Sequence, residues 1–238
     1  MSILSQCVID IGANFTHILP AQPCLLCGAN THDGLCCAAC DADLPRLTEE
    51  YCPVCALPTL AGCICGRCLK HPPAFDHTVP AFSYKFPLDK LIQALKYRER
   101  LILVNFLADA LTRRITSRPD CIVALPLHPT RLRERGFNQS LQLARRISRH
   151  LGIPLLADAC DRVRNTPPQS SLPWKERDKN MRKAFSCKSG ADVHGKHVAI
   201  VDDVMTTGAS IGELARALKL AGASEVSAWV VARTLPHD

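Results

Sequence analysis

The chain has 238 residues, of which 47% are hydrophobic and 5% aromatic, and it carries a formal net charge of +7 at pH 7. No uninterrupted apolar run approaches the roughly 20 residues that cross a bilayer, so we expect no membrane insertion. The N-terminus lacks a basic segment followed by an apolar core and a cleavage site, which favours a cytoplasmic protein.

The charge is distributed unevenly along the chain. Residues 1–75 carry three Lys or Arg against six Asp or Glu, whereas residues 76–238 carry 26 against 16. The basic excess of the second part would attract polyanions such as pyrophosphate or nucleic acid. A solvated basic surface is the alternative reading of the same balance.

The first 72 residues are predicted to form a small cysteine-rich domain. Apolar residues within 3–19 fall near one face of a helix, which we expect to dock on the body of the protein. Eleven of the 14 cysteines lie in the first 68 residues, and without an export signal this density favours metal over disulfides. His71-Pro72-Pro73 interrupts regular structure, so we predict domains at 1–72 and 73–238.

Cys-x-x-Cys pairs recur with a displacement of 28 residues. Two such turns offer four thiolates in a tetrahedron, which predicts a closed structural zinc site per quartet and about two Zn²⁺ per chain. Redox pairs are the alternative. Spacing alone leaves interleaved pairing open, and Cys36 or Cys63 could replace a neighbouring ligand. The predicted ligands are Cys24, Cys27, Cys37, Cys40, Cys52, Cys55, Cys65 and Cys68.

The middle of the chain alternates strand and helix patterns. We predict a strand at 79–84, helices at 88–97 and 102–116, and a buried strand at 121–127. A loop with Arg131, Arg133, Arg135 and Gly136 follows, and then a helix from about Gln139. Guanidinium groups bind phosphate oxygens in pairs, so this loop is a candidate polyanion site. A basic surface serving only solubility is the alternative.

Residues 165–183 have no clear periodicity. They include three prolines and five Lys or Arg, which predicts a mobile basic loop.

Residues 198–210 combine an apolar run, two acids and a small, hydroxyl-rich loop. The run at 198–201 suits a strand buried on both faces, ending at Asp202 and Asp203. Thr-Thr-Gly-Ala-Ser at 206–210 then opens a helix, and backbone N–H groups at such a point can hold a phosphate. The acids could accept hydrogen bonds from sugar hydroxyls or help to hold hydrated Mg²⁺. A strand end with ordinary helix caps is the alternative. A last strand is predicted at 225–233.

The stretch from 198 to 210 resembles the phosphoribosyl pyrophosphate (PRPP) motif of type I phosphoribosyltransferases. The resemblance implies that Asp202 and Asp203 face the ribose hydroxyls and that Mg²⁺ accompanies PRPP. It also implies a pyrophosphate loop and a closing loop at 165–183 that carries Arg177, with Arg135 and Arg177 as candidate catalytic residues. The implied 5-phosphate loop is Thr206, Thr207, Gly208, Ala209 and Ser210, and the implied pyrophosphate loop is Arg131, Arg135 and Gly136.

The whole chain is most similar to the ComF family, a double zinc ribbon fused to a type I phosphoribosyltransferase domain. The matching motifs are the cysteine pairs, Leu-Lys-Tyr-Arg at 95–98, Arg-Gly-Phe-Asn-Gln at 135–139, Thr-Pro-Pro-Gln at 166–169, Arg177 with Asn180, and the PRPP stretch. The resemblance implies an α/β fold with a parallel sheet, and transfer of phosphoribosyl from PRPP to an unknown acceptor. It associates the chain with natural competence and DNA uptake, or with gluconate utilisation. A non-catalytic module that binds single-stranded DNA or a DNA-uptake partner is the alternative function.

Overall fold

The computed structural model describes residues 22–31, 34–47, 50–97, 102–165 and 181–235. The predicted helix at 3–19, most of the basic segment 165–183 and Arg177 lie outside these ranges. The chain divides into two compact units, Met1–Leu44 and Pro45–Asp238. The domain boundary that we placed at residue 72 differs from this division and stays a prediction.

The first unit contains a short antiparallel hairpin and one helical turn. Strand β1 (Gln22–Pro23) pairs with β2 (Asn30–Thr31), and the turn between them carries Cys24 and Cys27. Helix α1 (Ala38–Ala42) begins directly after Cys37. Within the described residues of this unit only a few side chains are buried, and a metal ion can supply stability to such a small segment.

The second unit opens with the same arrangement displaced along the chain. A bridge between Tyr51 and Pro58 encloses the next cysteine pair. A short 3-10 turn (Leu60–Gly62) follows, and helix α2 (Gly66–Lys70) begins after Cys65. The repeat seen in the cysteine spacing is therefore also a repeat of the backbone.

The rest of the second unit is an α/β domain. Its strands are β3 (His77–Ser83), β4 (Cys121–Ala124), β5 (Cys160–Arg162), β6 (Phe185–Cys187), β7 (His197–Met205) and β8 (Glu225–Arg233). The helices are α3 (Leu88–Tyr97), α4 (Ile102–Thr112), α5 (Pro129–Arg135), α6 (Gln139–Leu151) and α7 (Ala209–Leu220). Strands β3, β8, β7 and β4 form one sheet in that order, and every neighbouring pair is parallel. This arrangement confirms the predicted fold class.

Helices cover both faces of this sheet, as parallel strands require. Helix α7 packs its apolar side against one face, in a core that includes Ile200 and Leu214. Trp229 and Val231 alternate to the other face and are fully buried, where α4 and α6 lie against the strands. A bidentate pair between Arg146 and Asp109 holds α6 to α4. In the part of the chain that the structure describes, none of the helices has the length and apolar character to cross a bilayer.

The structure contains the predicted helices and strands of this domain, but several of them end at different residues. The last strand occupies 225–233 as predicted, and α3 and α6 match their predicted positions. The strand expected at 198–201 continues to Met205, because Asp202 and Val204 still pair with β8. The strand expected at 121–127 ends at Ala124, and the helix expected to reach 116 ends at Thr112. The antiparallel pair β5–β6 was not predicted, because three-residue strands show too little alternation.

Candidate functional site

The eight predicted zinc ligands assemble into two separate clusters. Within each quartet every sulfur lies within 4.8 Å of the others. Cys27 Sγ and Cys37 Sγ are 3.7 Å apart, and Cys55 Sγ and Cys65 Sγ are 3.6 Å apart. Sulfur ligands at about 2.3 Å from a tetrahedral zinc ion stand about 3.8 Å apart, so both clusters fit this metal. The first quartet is Cys24, Cys27, Cys37 and Cys40, and the second is Cys52, Cys55, Cys65 and Cys68.

Backbone hydrogen bonds favour the thiolate form of Cys24 in the first cluster. Burial opposes charge on the Cys24 thiol, but hydrogen bonds from the backbone N–H groups of Cys27 and Cys37 outweigh it and lower its pKa to about 6. The repeat places the backbone N–H of Cys65 on Cys52 Sγ at 3.3 Å. Cys36 is not among the four sulfurs of the first quartet that lie within 4.8 Å of one another, which argues against Cys36 as a substitute ligand.

We therefore expect about two tightly bound zinc ions per chain. Protein purified under reducing conditions without added zinc should contain them by elemental analysis. Zinc close to zero, with all cysteines reactive towards a thiol reagent in the folded protein, would rule out the zinc ribbon assignment.

The second cysteine cluster is joined to the sheet by hydrogen bonds. Thr78 at the start of β3 donates its backbone N–H to Pro53 O at 2.9 Å and its hydroxyl to Val54 O at 2.6 Å. Both carbonyls belong to the turn between Cys52 and Cys55. The position of this turn is thus tied to the sheet.

Arg233 connects the same turn to the predicted phosphate loop. Its side chain is completely buried. Nε donates to Cys55 O at 2.7 Å, and one terminal nitrogen donates to Met205 O at 3.0 Å and to the carbonyls of Thr206 and Thr234. Burial lowers the pKa of Arg233 to about 10, which keeps the group charged at neutral pH. One buried cation therefore bonds to backbone carbonyls of both the second cysteine cluster and the loop entrance.

Asp202 and Asp203 lie at the carboxyl end of β7, within the strand and not beyond it. Both are buried. Ser140, in the first turn of α6, donates its hydroxyl to Asp202 Oδ1 at 2.8 Å. Asn138 caps α6 by accepting the N–H of Ser140 at 3.0 Å and donates from Nδ2 to Leu125 O. The cap therefore places the serine hydroxyl against the carboxylate.

Lys96 provides the cation opposite the two acids. Its Nζ lies 2.9 Å from Asp203 Oδ2. The apolar side of α3 is buried through Leu91, Ile92 and Leu95, which fixes the rotation of the helix and directs Lys96 towards β7. Sequence analysis placed Lys96 only within the Leu-Lys-Tyr-Arg motif at 95–98, because nothing local links residue 96 to residue 203.

The loop at 206–210 joins β7 to α7 in a conformation that requires glycine. Gly208 has φ of +86°, and a Cβ there would come within 2.8 Å of Met205 Cε and 3.5 Å of Phe75 Cζ. The hydroxyl of Thr207 accepts the N–H of Ala209 at 3.1 Å, which shapes the first turn of α7. The backbone is thus held in a tight turn at a helix N-terminus, the arrangement that binds phosphates in many α/β proteins.

The predicted arginine loop is wrong in one respect, because its arginines lie on helix α5. His128 caps this helix through Nδ1, Pro129 occupies its first turn, and Gly136 ends it with φ of +78°. Arg135 donates to Gln139 Oε1 at 2.9 Å, across the junction with α6. The chain thus places Arg135 and Gly136 between two helices beside the carboxyl edge of the sheet.

Arg162 on β5 is a further basic residue that sequence analysis missed. Its guanidinium lies over the Phe185 ring, 5.7 Å from the centroid. Burial and the charge of Arg131 lower the pKa of Arg162 to about 10, whereas the charge of Asp202 raises it. Arg131, Arg162 and Asp202 therefore influence one another electrostatically at this end of the sheet.

A cavity of about 350 Å³ borders the predicted phosphate loop at 206–210. Thr207, Gly208 and Ala209 contribute to one wall, and Cys55 and Cys68 of the second cysteine cluster contribute to another. Three arginines and one histidine also line it, with one glutamate; these residues are Arg67, His71, Arg182, Arg216 and Glu213. The excess of positive side chains suits an anionic ligand.

Burial of Asp202 makes the stability of the folded protein depend on pH. Burial, and then the charge of Asp203, raises the pKa of Asp202 to about 7, above the value of about 3.9 for an unfolded aspartate. The raised value means that this group's contribution to stability decreases as the pH rises from about 4 to 7.

Asp202→Asn is therefore expected to raise the melting temperature, and to raise it more at pH 8 than at pH 5. The amide keeps the oxygen that accepts from Ser140 and removes the buried charge. Thermal melts of both proteins at the two pH values test this. A variant less stable than the wild type at pH 8 would show that the charge itself stabilises the fold.

Two family models match the chain, a double zinc ribbon domain over residues 15–69 and a phosphoribosyl transferase domain over residues 138–235. The chain is 38% identical over 224 residues to the DNA utilization protein YhgH of Escherichia coli (strain K12), a match that covers 89% of this chain and 97% of that protein. It is 34% identical over 224 residues to Competence protein F of Haemophilus influenzae, with 88% and 96% covered. Among solved structures, the allosteric regulatory enzyme of purine biosynthesis is 22% identical with a TM-score of 0.39, covering 54% of this chain and 25% of that one.

Proposed function

Because the chain belongs to the ComF family, in which a double zinc ribbon precedes a phosphoribosyltransferase domain, we propose that it binds PRPP and transfers the phosphoribosyl group to an acceptor. The acceptor attacks C1 of the ribose as pyrophosphate leaves. Since relatives are named for competence and for DNA utilization, we place this activity in the uptake or use of DNA.

The observation that carries the proposal is the pair of acids at the carboxyl end of β7, directly before a tight phosphate-type turn. In parallel α/β sheets ligands bind outside the carboxyl ends of the strands. Asp202 and Asp203 lie at such an end, where Ser140 and Lys96 contact them. The carboxylates would accept hydrogen bonds from the two ribose hydroxyls.

The phosphate groups of PRPP would lie on either side of the ribose. We assign the 5-phosphate to the loop of Thr206, Thr207, Gly208, Ala209 and Ser210, whose backbone turns at a helix N-terminus. We assign the pyrophosphate to the junction of α5 and α6, where Arg131, Arg135 and Gly136 lie. Arg177, from the segment at 165–183, would reach the leaving group when that segment covers the ligand.

Catalysis in this proposal comes from stabilising the charge that develops as pyrophosphate leaves. Arg135 and Arg177 would interact more strongly with the leaving group than with bound PRPP, which lowers the barrier. Mg²⁺ bound with PRPP would neutralise part of the charge on the pyrophosphate oxygens. The acids orient the ribose, and none of these side chains needs to form a covalent bond.

Pyrophosphate release tests the proposal. The full chain is incubated with Mg²⁺ and PRPP against a panel of bases and amines, with Asp202→Asn/Asp203→Asn as the inactive reference. We expect one class of acceptor to give pyrophosphate release faster than the hydrolysis of PRPP by water. The Asp202→Asn/Asp203→Asn variant should lose this release. PRPP binding without pyrophosphate release with any acceptor would indicate that the protein senses PRPP and does not transfer its phosphoribosyl group.

A module that binds single-stranded DNA, or a partner that handles it, is the second candidate. The relatives' names and the basic excess of residues 76–238 favour it. The acidic balance of residues 1–75 and the 5% aromatic content count against it, since base stacking uses aromatic side chains. Fluorescence anisotropy with a labelled oligonucleotide at rising salt concentrations distinguishes the candidates, because phosphate contacts give a steep salt dependence.

A further inference from the structure

Two histidines and a glutamate meet at the amino-terminal edge of the sheet, the edge opposite to the proposed PRPP site. His77 begins β3, His197 begins β7 and Glu225 begins β8, the strand between them. His197 pairs directly with Glu225, and His77 pairs with Ser227, two residues further along β8. Because side chains alternate along a strand, the two histidines and the glutamate project from the same face.

The donor atoms of these three residues are close to the spacing of metal ligands. His77 Nδ1 lies 3.3 Å from Glu225 Oε1, and His197 Nε2 lies 3.9 Å from the same oxygen. All three donor atoms lie within 4.8 Å of one another. Nitrogen and oxygen ligands about 2.0–2.1 Å from a tetrahedral zinc ion stand about 3.3 Å apart. The His77–Glu225 pair already has this spacing, and the His197–Glu225 pair must shorten by about 0.6 Å to reach it.

Two other carboxylates hold the backbone beneath the donors. Asp120 Oδ2 accepts the backbone N–H of His197 at 2.8 Å, and Asp76 Oδ2 accepts that of Val226 at 2.7 Å. The ends of β7 and β8 are thereby fixed, so the donors lose little freedom when they bind an ion. The two acids also add negative charge near the cluster, partly offset by Lys219, whose Nζ lies 2.8 Å from Asp76 Oδ2.

The cluster is accessible and its histidines suit coordination. The side chains of His77, His197 and Glu225 are 28%, 16% and 46% exposed, so an ion can enter from solvent. Burial lowers the pKa of His197, which favours the neutral imidazole that binds metals.

We propose that His77, His197 and Glu225 form a third metal site, which binds Zn²⁺ or a similar divalent transition-metal ion. Two imidazoles and one carboxylate are a known donor set for zinc with an open fourth position, which water fills here. The bound ion joins three neighbouring strands. It therefore stabilises the second unit by an amount that rises with the free metal concentration. This site uses no thiolate and is separate from the two cysteine clusters.

Calorimetric titration of Zn²⁺ into the untagged full chain, already loaded with its structural zinc, tests the site. We expect one further equivalent to bind. Glu225→Gln and His197→Ala should each weaken this event at least roughly tenfold, since even changes around a metal's ligands have effects of that size. The control His150→Ala removes an exposed histidine of α6 and should leave the titration unchanged.

Two further measurements separate a metal site from a simple hydrogen-bond cluster. His197 Nε2 lies 3.0 Å from Ser227 Oγ, so Ser227→Ala frees the nitrogen and should retain metal binding. Co²⁺ added to the zinc-loaded protein should bind without the near-ultraviolet charge-transfer band of cobalt–thiolate bonds. Absence of a further equivalent, equal affinity in Glu225→Gln, or appearance of the thiolate band would each overturn the proposal.

Discussion

Asp202→Asn together with Asp203→Asn is expected to reduce PRPP affinity by a factor of about a hundred or more. The variant would lose the two proposed charge-assisted hydrogen bonds to the ribose hydroxyls, worth roughly 1.5–3 kcal/mol each. Its fold should persist because the amides are nearly isosteric and burial already disfavours the charge on Asp202. Lys96 loses its ion pair with Asp203, but its ammonium group can still donate to the amide oxygen of the asparagine.

Calorimetry with Mg²⁺ and PRPP, paired with a thermal melt and a zinc analysis, checks this expectation. Asp161→Asn with Asp192→Asn is the matched control, because it removes two charges from exposed positions of the same unit. The control should bind PRPP like the wild type. Undiminished affinity in the Asp202/Asp203 variant would mean that the acids only shape the turn, and the proposed PRPP site would be wrong.

Cys65→Ser is expected to remove one zinc ion and also to weaken PRPP binding at least roughly tenfold. Cys65 belongs to the second cluster, whose turn is tied to the sheet through Thr78 and to the loop entrance through Arg233. If the cluster loses its metal, Cys55 O moves away from a buried cation. Leaving such a group short of partners costs a few kcal/mol, which should loosen the loop at 206–210 that we propose binds the 5-phosphate.

The internal repeat supplies the control for this variant. Cys37 occupies the equivalent position of the first quartet, which belongs to the other compact unit. Cys37→Ser should also lose one zinc ion but keep the PRPP affinity of the wild type. Equal PRPP affinity in both serine variants would show that the contacts through Arg233 do not influence the loop.

The central part of the candidate site was predictable because its signals are local. An apolar run, two acids and a small-residue turn follow one another within residues 198–210, and this order is typical of a strand, a turn and a helix N-terminus. The short spacing within each cysteine pair likewise predicts the two clusters from the sequence. The structure brings these residues together as clusters and as a strand–turn–helix unit.

Helix α5 and residue Arg162 escaped prediction for a different reason. Helix α5 has seven residues and none of them is buried, so no apolar periodicity marks it. Arg162 lies on a three-residue strand, where alternation is too short to recognise. Caps at His128 and Gly136 were the available signals for α5, and they are weak without a periodic segment between them.

The connection between the second cysteine cluster and the sheet could not be read from residue types. It uses the backbone carbonyls of Pro53, Val54 and Cys55, which every sequence possesses. Arg233 at the end of β8 could equally have been a solvent-exposed charge, since arginine is seldom buried without partners. Only the packing of distant segments shows that it links the cluster to the loop.

Titration of Mg²⁺ and PRPP into the zinc-loaded full chain is the most direct test of the central claim. A single PRPP molecule per chain should bind. Inorganic phosphate at high concentration should compete, because it would occupy the same loop at 206–210. Absence of any PRPP binding by folded protein that contains its zinc would contradict the assignment of a phosphoribosyl site at the carboxyl end of β7.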